Sequence, residues 1–555
     1  MFVPDLNLPR DGRTVVGTPR ETITRAVAPG RYWHRGLKKG LIQLIGDSDR
    51  SDLELTVNVD GLPIAESSNS AVWPILCSVK GMGVFVVGIY HGYEKPEDPN
   101  CYLEDFVREM NDLIDNGLHY NGKTIAVKLK CLICEAPAKS FVMCTKSHTS
   151  SNGCSKCCVE GDFLNRRMSF LDINAPLRTD DDFRARKDED YHKQESIMLS
   201  IHGFKPVSDV VLDYMHLVCE GVVKKMLLAW LRGTVREQGK VRLPAAKIRQ
   251  LDDAMLRVTN LIPKEFARHA RSFKYVKQWK ATEFRQFLLY TGPIVLKGIL
   301  STEVYDHFMQ LHVAITFLVD KTYSRNHELV DYANTLLRDF VVKYSQLYGR
   351  EYVSHNVHNL IHLASDVKRF GSLDEFSSFP FESFLHKLKC QLRKHEKPLE
   401  QIMRRYTEEE KSVIKDPEHV LDVPVFLVKH SDGALPSDCK GPCYMRAKYS
   451  SFMLNIEDDA DNCIYLKDGR LVEIENFASL RETGEPVAVG RILKKRGSFY
   501  SRPCDSAKQG IVVVQRRGSL RWWPLSQIGQ KCVKLPFGRF DQHKYAVLPL
   551  LHATA

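Results

Sequence analysis

LELTVNVD, Leu53 to Asp60, alternates apolar and polar side chains and stops at the turn Gly61-Leu62-Pro63. That is the pattern of a half-buried strand ending on a carboxylate. AVWPILCSVKG follows as a second strand, and GVFVVGIYHG (Gly83 to Gly92) is the continuous apolar run of a buried one. From Tyr102 to Asn116 the period lengthens: YLEDFVREMNDLIDN places Leu103, Phe106, Val107, Met110, Leu113 and Ile114 on one helical face. After the turn at Asn121-Gly122, TIAVKLKCLICEA alternates again, with Ile125, Val127, Leu129 and Cys131 on one side, and ends at Glu135-Ala136-Pro137.

The order is strand, strand, strand, helix, strand, with Asp60 and Glu135 near the ends of the first and last strands. RNase H-like α/β folds have this arrangement, and neighbouring strand ends bring two carboxylates together. Working outward, residues 1–50 are expected as an N-terminal extension with a basic, aromatic stretch, GRYWHRGLKKG, and 51–207 as the first part of the core. Residues 208–350 hold amphipathic segments such as VVLDYMHLVCEGVVKKMLLAWLRG and are read as a large helical insertion. Residues 351–415 include a helix starting near Phe379 in FPFESFLHKLKCQLRKH, and 416–555 return to short β-like runs, a small C-terminal β-rich domain.

Of the 555 residues, 43% are hydrophobic and 26% charged, an ordinary globular composition that excludes a disordered chain. The length predicts two or three domains. A net charge of +11 favours a polyanionic partner, but taken as spread over the whole chain it reads as solvated surface. The opening MFVPDLNLPRDGR has no apolar signal region, and no run of about 18 apolar residues could span a bilayer. With 15 cysteines, an odd number, the expectation is a reduced intracellular protein in which clustered cysteines bind metal.

Phosphoryl transfer on DNA needs carboxylates from separate elements converging on hard divalent cations. Asp60 in NVDGLP, Glu135 in CEAPA and Glu382 in FPFES have the right chemistry, although an acid at a turn or helix start has structural uses too. GCSKCC holds Cys154-x-x-Cys157, and SHNVHNLIHL holds His355, His358 and His362. On a helix, His358 and His362 share one face, and with the two thiolates they could complete a tetrahedral zinc site joining the core to the segment after the insertion. Spacing alone leaves open satisfied histidines and a coincidental CxxC. Cys131 and Cys134 would point to opposite faces of a strand, which indicates packing. Cys439 and Cys443 read as structural, and Asp213 and His216 could touch each other or an ion.

Taken together, NVDGLPIAESSNSAVWPIL, CEAPAKSFVMCTKSHTSSNGCSKC, LDYMHLVCEGVVKKMLLAWLRG, KATEFRQFLLYTGP and HNVHNLIHLASDVKRFGSLDEFSSFPFESFLHKLK resemble the transposase-domain proteins of the CACTA (EnSpm) group. That group is related to the catalytic core of the vertebrate antigen-receptor recombinase. The resemblance spans roughly Leu53 to Arg405. It implies an acidic triad, Asp60, Glu135 and Glu382, holding two Mg²⁺ or Mn²⁺ ions, and a structural Zn²⁺ on Cys154, Cys157, His358 and His362. Asp213 and His216 match a recurrent DxMH motif. It further implies DNA as partner, a homo-oligomer because two DNA ends must be joined, and a nuclear location, with no membrane and no small-molecule substrate.

One residue departs from the pattern: Glu135 stands where an aspartate is expected. No distinct DNA-binding module is evident before Leu53, as in a truncated or decayed copy. Lys224, Lys225, Arg285 and Lys387 are candidate phosphate contacts. The competing expectation is a host-retained DNA-binding or scaffold protein on the same fold, without catalysis.

Overall fold

The computed structural model describes residues 11–46, 49–65, 68–233, 241–269, 271–394, 396–412, 424–516, 518–538 and 544–551. The chain forms two compact units, Met1–Tyr214 with Asp374–Pro417, and Met215–Leu373 with Glu418–Ala555. It is a mixed α/β protein with a β-rich C-terminal segment, and no helix among the described residues is long and apolar enough to cross a membrane.

The first unit is built on one mixed sheet. Its strands are β1 (Arg25–Val27), β2 (Gly30–His34), β3 (Asp52–Val59), β4 (Leu62–Pro63), β5 (Ala71–Val79), β6 (Gly83–Gly92), β7 (Leu118–Tyr120) and β8 (Lys123–Ile133). A separate hairpin, β9 (Asp162–Leu164) and β10 (Arg167–Ser169), precedes β11 (Val210–Val211). The sheet order is β1-β2-β6-β5-β3-β8-β11, with β4 on β5 and β7 on β8. β3, β5 and β6 pair antiparallel, whereas β8 lies parallel to β3, and β11 parallel to β8. The stretch expected as an N-terminal extension thus supplies β1 and β2, and Tyr32 of β2 is fully buried.

The parallel connection needs a crossover, provided by the helix Pro99–Asn116. Asp98 caps it, accepting from the Asn100 and Cys101 amides, and Pro99 starts it without an orphaned donor. Its Leu103, Phe106, Val107, Met110 and Leu113 are buried with Leu53, Leu55, Val57 and Val59 of β3 in one core. Replacing Asp98 by Ala is expected to cost about 1 kcal/mol in urea unfolding, with Asp98→Asn close to neutral.

The expected alternation of β8 fails in its second half. The register slips between Leu55 and Thr56, so that Leu55 faces Leu129 but Thr56 faces Cys131, leaving Lys130 as an extra residue. The bulge reverses the faces beyond it. Cys131 therefore leaves the side it was expected to share with Leu129 and contacts Thr56, while Leu132 and Cys134 join the core.

In the second unit, helices Lys224–Arg232, Ala245–Val258, Thr302–Val319 and His327–Tyr348 precede the C-terminal strands. His307 stacks on Phe340, with ring centroids 4.0 Å apart, joining the two longest of these helices. The C-terminal strands form a ten-stranded antiparallel sheet from Val425 to Pro549. Buried Lys531 welds it to the helical part: its Nζ donates to Glu265 Oε2 at 2.7 Å, Asp461 Oδ1 at 2.6 Å and the Met453 carbonyl at 2.6 Å. Cys439 and Cys443 are buried together in this sheet as free thiols.

Candidate functional site

The strand ends of the first unit are held in register by Asn58, whose Nδ2 donates to the Ile133 carbonyl at 2.9 Å. β3 therefore ends beside β8, and Asp60 and Glu135 follow them. The Gly61 amide donates to Asp60 Oδ1 at 2.8 Å, orienting the carboxylate. Gly61 lies against Trp73, and a Cβ at that position would come within 2.9 Å of the indole, so a larger residue would shift the turn that carries Asp60. Glu135 is the N-cap of the helix Ala136–Val142, with Pro137 in its first turn, but its side chain caps no amide of that helix.

Asp60, Glu135 and His216 each offer one ligand atom, and the three atoms lie within 4.8 Å of one another. Cys134 sits beside this acidic ground. Burial first, and then the charge of Asp60 and Asp213, push its thiol up to about 12, so it remains protonated near neutrality. His216 belongs to a π-helical turn, Met215–Val223. A Cβ on Gly221 would lie 2.8 Å from the His216 carbonyl, so the wide turn depends on the missing side chain.

Glu382 is not in that three-residue group. It is exposed in the first turn of the helix Phe379–Cys390. Phe381, Leu385 and Leu388 anchor this helix by burial. Its start is fixed by Asp213, whose Oδ1 accepts from the Ser378 amide at 2.8 Å in a buried environment. Asp213 thus positions the element that carries Glu382, a role that its spacing to His216 did not reveal. Asp213→Leu is expected to lower stability by about 1–3 kcal/mol by stranding that amide, with Asp213→Asn retaining most of it, as read by thermal unfolding.

The sulfur half of the second site is local. Cys154 and Cys157 are buried, form no disulfide, and stand 3.5 Å apart at Sγ, and the Lys156 amide points to Cys154 Sγ at 3.4 Å. A disulfide would need about 2.05 Å, whereas two thiolates on one tetrahedral zinc at Zn–S of about 2.3 Å stand about 3.8 Å apart. The neighbouring Cys154 sulfur, and then burial, push the Cys157 thiol well upward. Arg178 braces the loop, donating from Nε to the Cys154 carbonyl at 3.0 Å and lying over Tyr191.

The histidines lie where the expected regular helix is interrupted. His355–His358 is α-helical, Asn359–His362 tightens to a 3₁₀ turn, and Leu363–Phe370 resumes the α-helix. The tight turn sets the His358 and His362 rings 5.5 Å apart at 66°. Cys154, Cys157, His358 and His362 are all buried, and one ligand atom of each lies within 4.8 Å of the others. This buried Cys₂His₂ cluster could bind a metal such as zinc: its donor set, its S–S separation and its lack of a disulfide all fit.

Among the expected phosphate contacts, Lys387 pairs with Glu409 at 2.8 Å, Lys225 bonds Ser354, and Lys224 lies over the Phe284 ring.

Residues 429–550 match a family described as a domain of unknown function (DUF8592). No curated protein matches the chain.

Proposed function

We propose that this chain is a DNA transposase-like protein whose first unit is an RNase H-like core for metal-dependent strand cleavage and transfer. The observation that carries the reading is the pairing of Asp60 and Glu135 at the ends of adjacent parallel strands, with ligand atoms close enough to share a cation. The strand order β6-β5-β3-β8-β11, three antiparallel strands followed by two parallel ones, supports it, as do the sequence resemblance and the Cys₂His₂ cluster.

Two divalent cations at such acids would supply activation of the attacking oxygen and charge stabilisation at the leaving oxygen. Within the chain, Asp60 is oriented by the Gly61 amide, Glu135 presents a carboxylate that caps no helix amide, and His216 offers a nitrogen donor. Glu382 would be the third acid of the set, and Asp213 holds the first turn of its helix. Proposed with this reading are DNA as substrate, a homo-oligomer that brings two ends together, and a nuclear location.

The second reading, a DNA-binding scaffold without catalysis, is favoured by Glu135 in place of aspartate and by Glu382 standing outside the acidic group. Nicking of a supercoiled plasmid in Mn²⁺ or Mg²⁺ separates the two. Nicking that disappears in Asp60→Ala supports the transposase. No nicking by folded protein, by Glu135→Asp or by Asp60→Ala moves the conclusion to the scaffold.

A further inference from the structure

The positive charge of this protein is not spread along the chain. Residues 224–285 carry 16 Lys and Arg against five Asp and Glu, which is +11, and the remaining residues, with 63 of each sign, are neutral. The whole excess of +11 therefore resides in this one stretch of the second unit.

The acids within the stretch are largely spent on internal bonds. Glu283 takes Arg271 through both oxygens at 2.6 Å, and Glu265 takes Lys531. Asp252 accepts from Ser272 Oγ at 2.8 Å and from the Phe273 amide at 2.7 Å. This last pair of bonds ties the 3₁₀ turn Phe273–Gln278 to the helix Ala245–Val258.

A cavity of 220 Å³ opens where these elements meet the helix Lys224–Arg232. Arg232, Arg249 and Lys274, one from each element and each exposed, line it together with Asp252, Ile248 and Phe273. None of the three cations enters an ion pair among the described residues. Three cations against the single Asp252 carboxylate, whose oxygens are held by Ser272 and the Phe273 amide, leave the cavity net positive, and a phosphate set among them would offset that excess in a medium less screening than water.

We infer that this cavity, with Arg232, Arg249 and Lys274 in its lining, seats the phosphate backbone of duplex DNA. The inference rests on the DNA-directed reading only for the identity of the polyanion, and it is independent of the acidic residues. These three side chains differ from the phosphate contacts expected from the sequence.

The test is the anisotropy of a labelled duplex with full-length protein, without added Mg²⁺ or Mn²⁺, from about 50 to 200 mM salt. Arg232→Gln/Arg249→Gln/Lys274→Gln should flatten the slope of log K against log salt by about 3, roughly 0.9 for each phosphate no longer neutralised. Lys39→Gln/Lys128→Gln/Lys146→Gln, which removes the same charge from the neutral remainder, should leave the slope unchanged. Equal slopes for the two triple variants at matched melting temperature would overturn the inference. So would wild-type protein that fails to bind the duplex, or poly-glutamate bound as tightly as DNA, which would indicate an acidic protein partner. The nicking assay separates the two conclusions: a protein that does not nick but whose salt slope still flattens in the triple variant loses the catalytic reading and keeps this one.

Discussion

Protein purified without chelator is expected to carry about one zinc per chain, and its removal is expected to unfold the segments that hold Cys154, Cys157, His358 and His362. The magnitude follows from comparing two energies. Structural zinc in small domains contributes about 10–16 kcal/mol near neutral pH, whereas a whole domain is stable by about 5–15 kcal/mol. The four ligands are buried, so without a cation the cluster leaves two thiols and two imidazoles facing one another with little water to solvate them. Cys154→Ser and His358→Ala should each abolish stoichiometric zinc and lower the melting temperature by far more than Cys77→Ala. Cys77 is equally buried, but its thiol lies in the apolar core, and its loss should cost only about 1–2 kcal/mol. Protons compete with zinc for all four ligands, so retention should weaken as the pH falls. Metal analysis and thermal unfolding across pH make the check. Zinc-free protein that melts like the metal-loaded form would remove the structural role.

Much of the first unit was legible because its signals are local. The alternation of Leu53, Leu55, Val57 and Val59 and the helical stripe from Leu103 to Leu113 both face the core. What escaped depends on contacts distant in sequence. β2 reads as a basic, aromatic stretch, yet Tyr32 is buried because β6 supplies its neighbour across the sheet. The bulge at Lys130 arises from pairing with β3 and leaves no mark in the alternation of β8 itself. In the strand Ile528–Pro536, Lys531 and Lys534 read as solvent-facing in the sequence but are buried. The carboxylates that justify their burial, Glu265, Asp461 and Glu473, come from elsewhere in the chain. The CxxC and the histidine pair were visible as motifs, but the 3₁₀ turn that sets the ring angle was not. Averaging charge over the chain hid the basic stretch at 224–285, although a windowed count would have found it from sequence.

Glu135→Asp is expected to raise plasmid nicking by about 10²-fold. The argument is geometric. Glu135 leaves β8 where that strand lies beside β3, and Asn58 fixes the two strand ends to each other, so the backbone position of the carboxylate is set. The extra methylene of Glu then pushes the oxygens outward by about 1 Å, or forces the side chain to fold back, and a displacement of that size can cost about 10²-fold in rate. Asp at 135 shortens the reach without changing the charge, and because Glu135 caps no amide of its helix, the exchange sacrifices no structural bond there. The gain should therefore come with an unchanged melting temperature and unchanged zinc content. Asp60→Ala placed on the Glu135→Asp background should return nicking to background, because in the proposed reading the two acids hold one metal site, and losses within such a unit do not add. If Glu135→Asp leaves nicking where it was while Asp60→Ala abolishes it, the longer side chain already reaches the cation, and the Glu is a working ligand rather than a lesion. If neither substitution changes a silent protein, the acids at the strand ends hold no catalytic metal, and the Cys₂His₂ cluster and the basic stretch at 224–285 are the parts of the molecule on which its function turns.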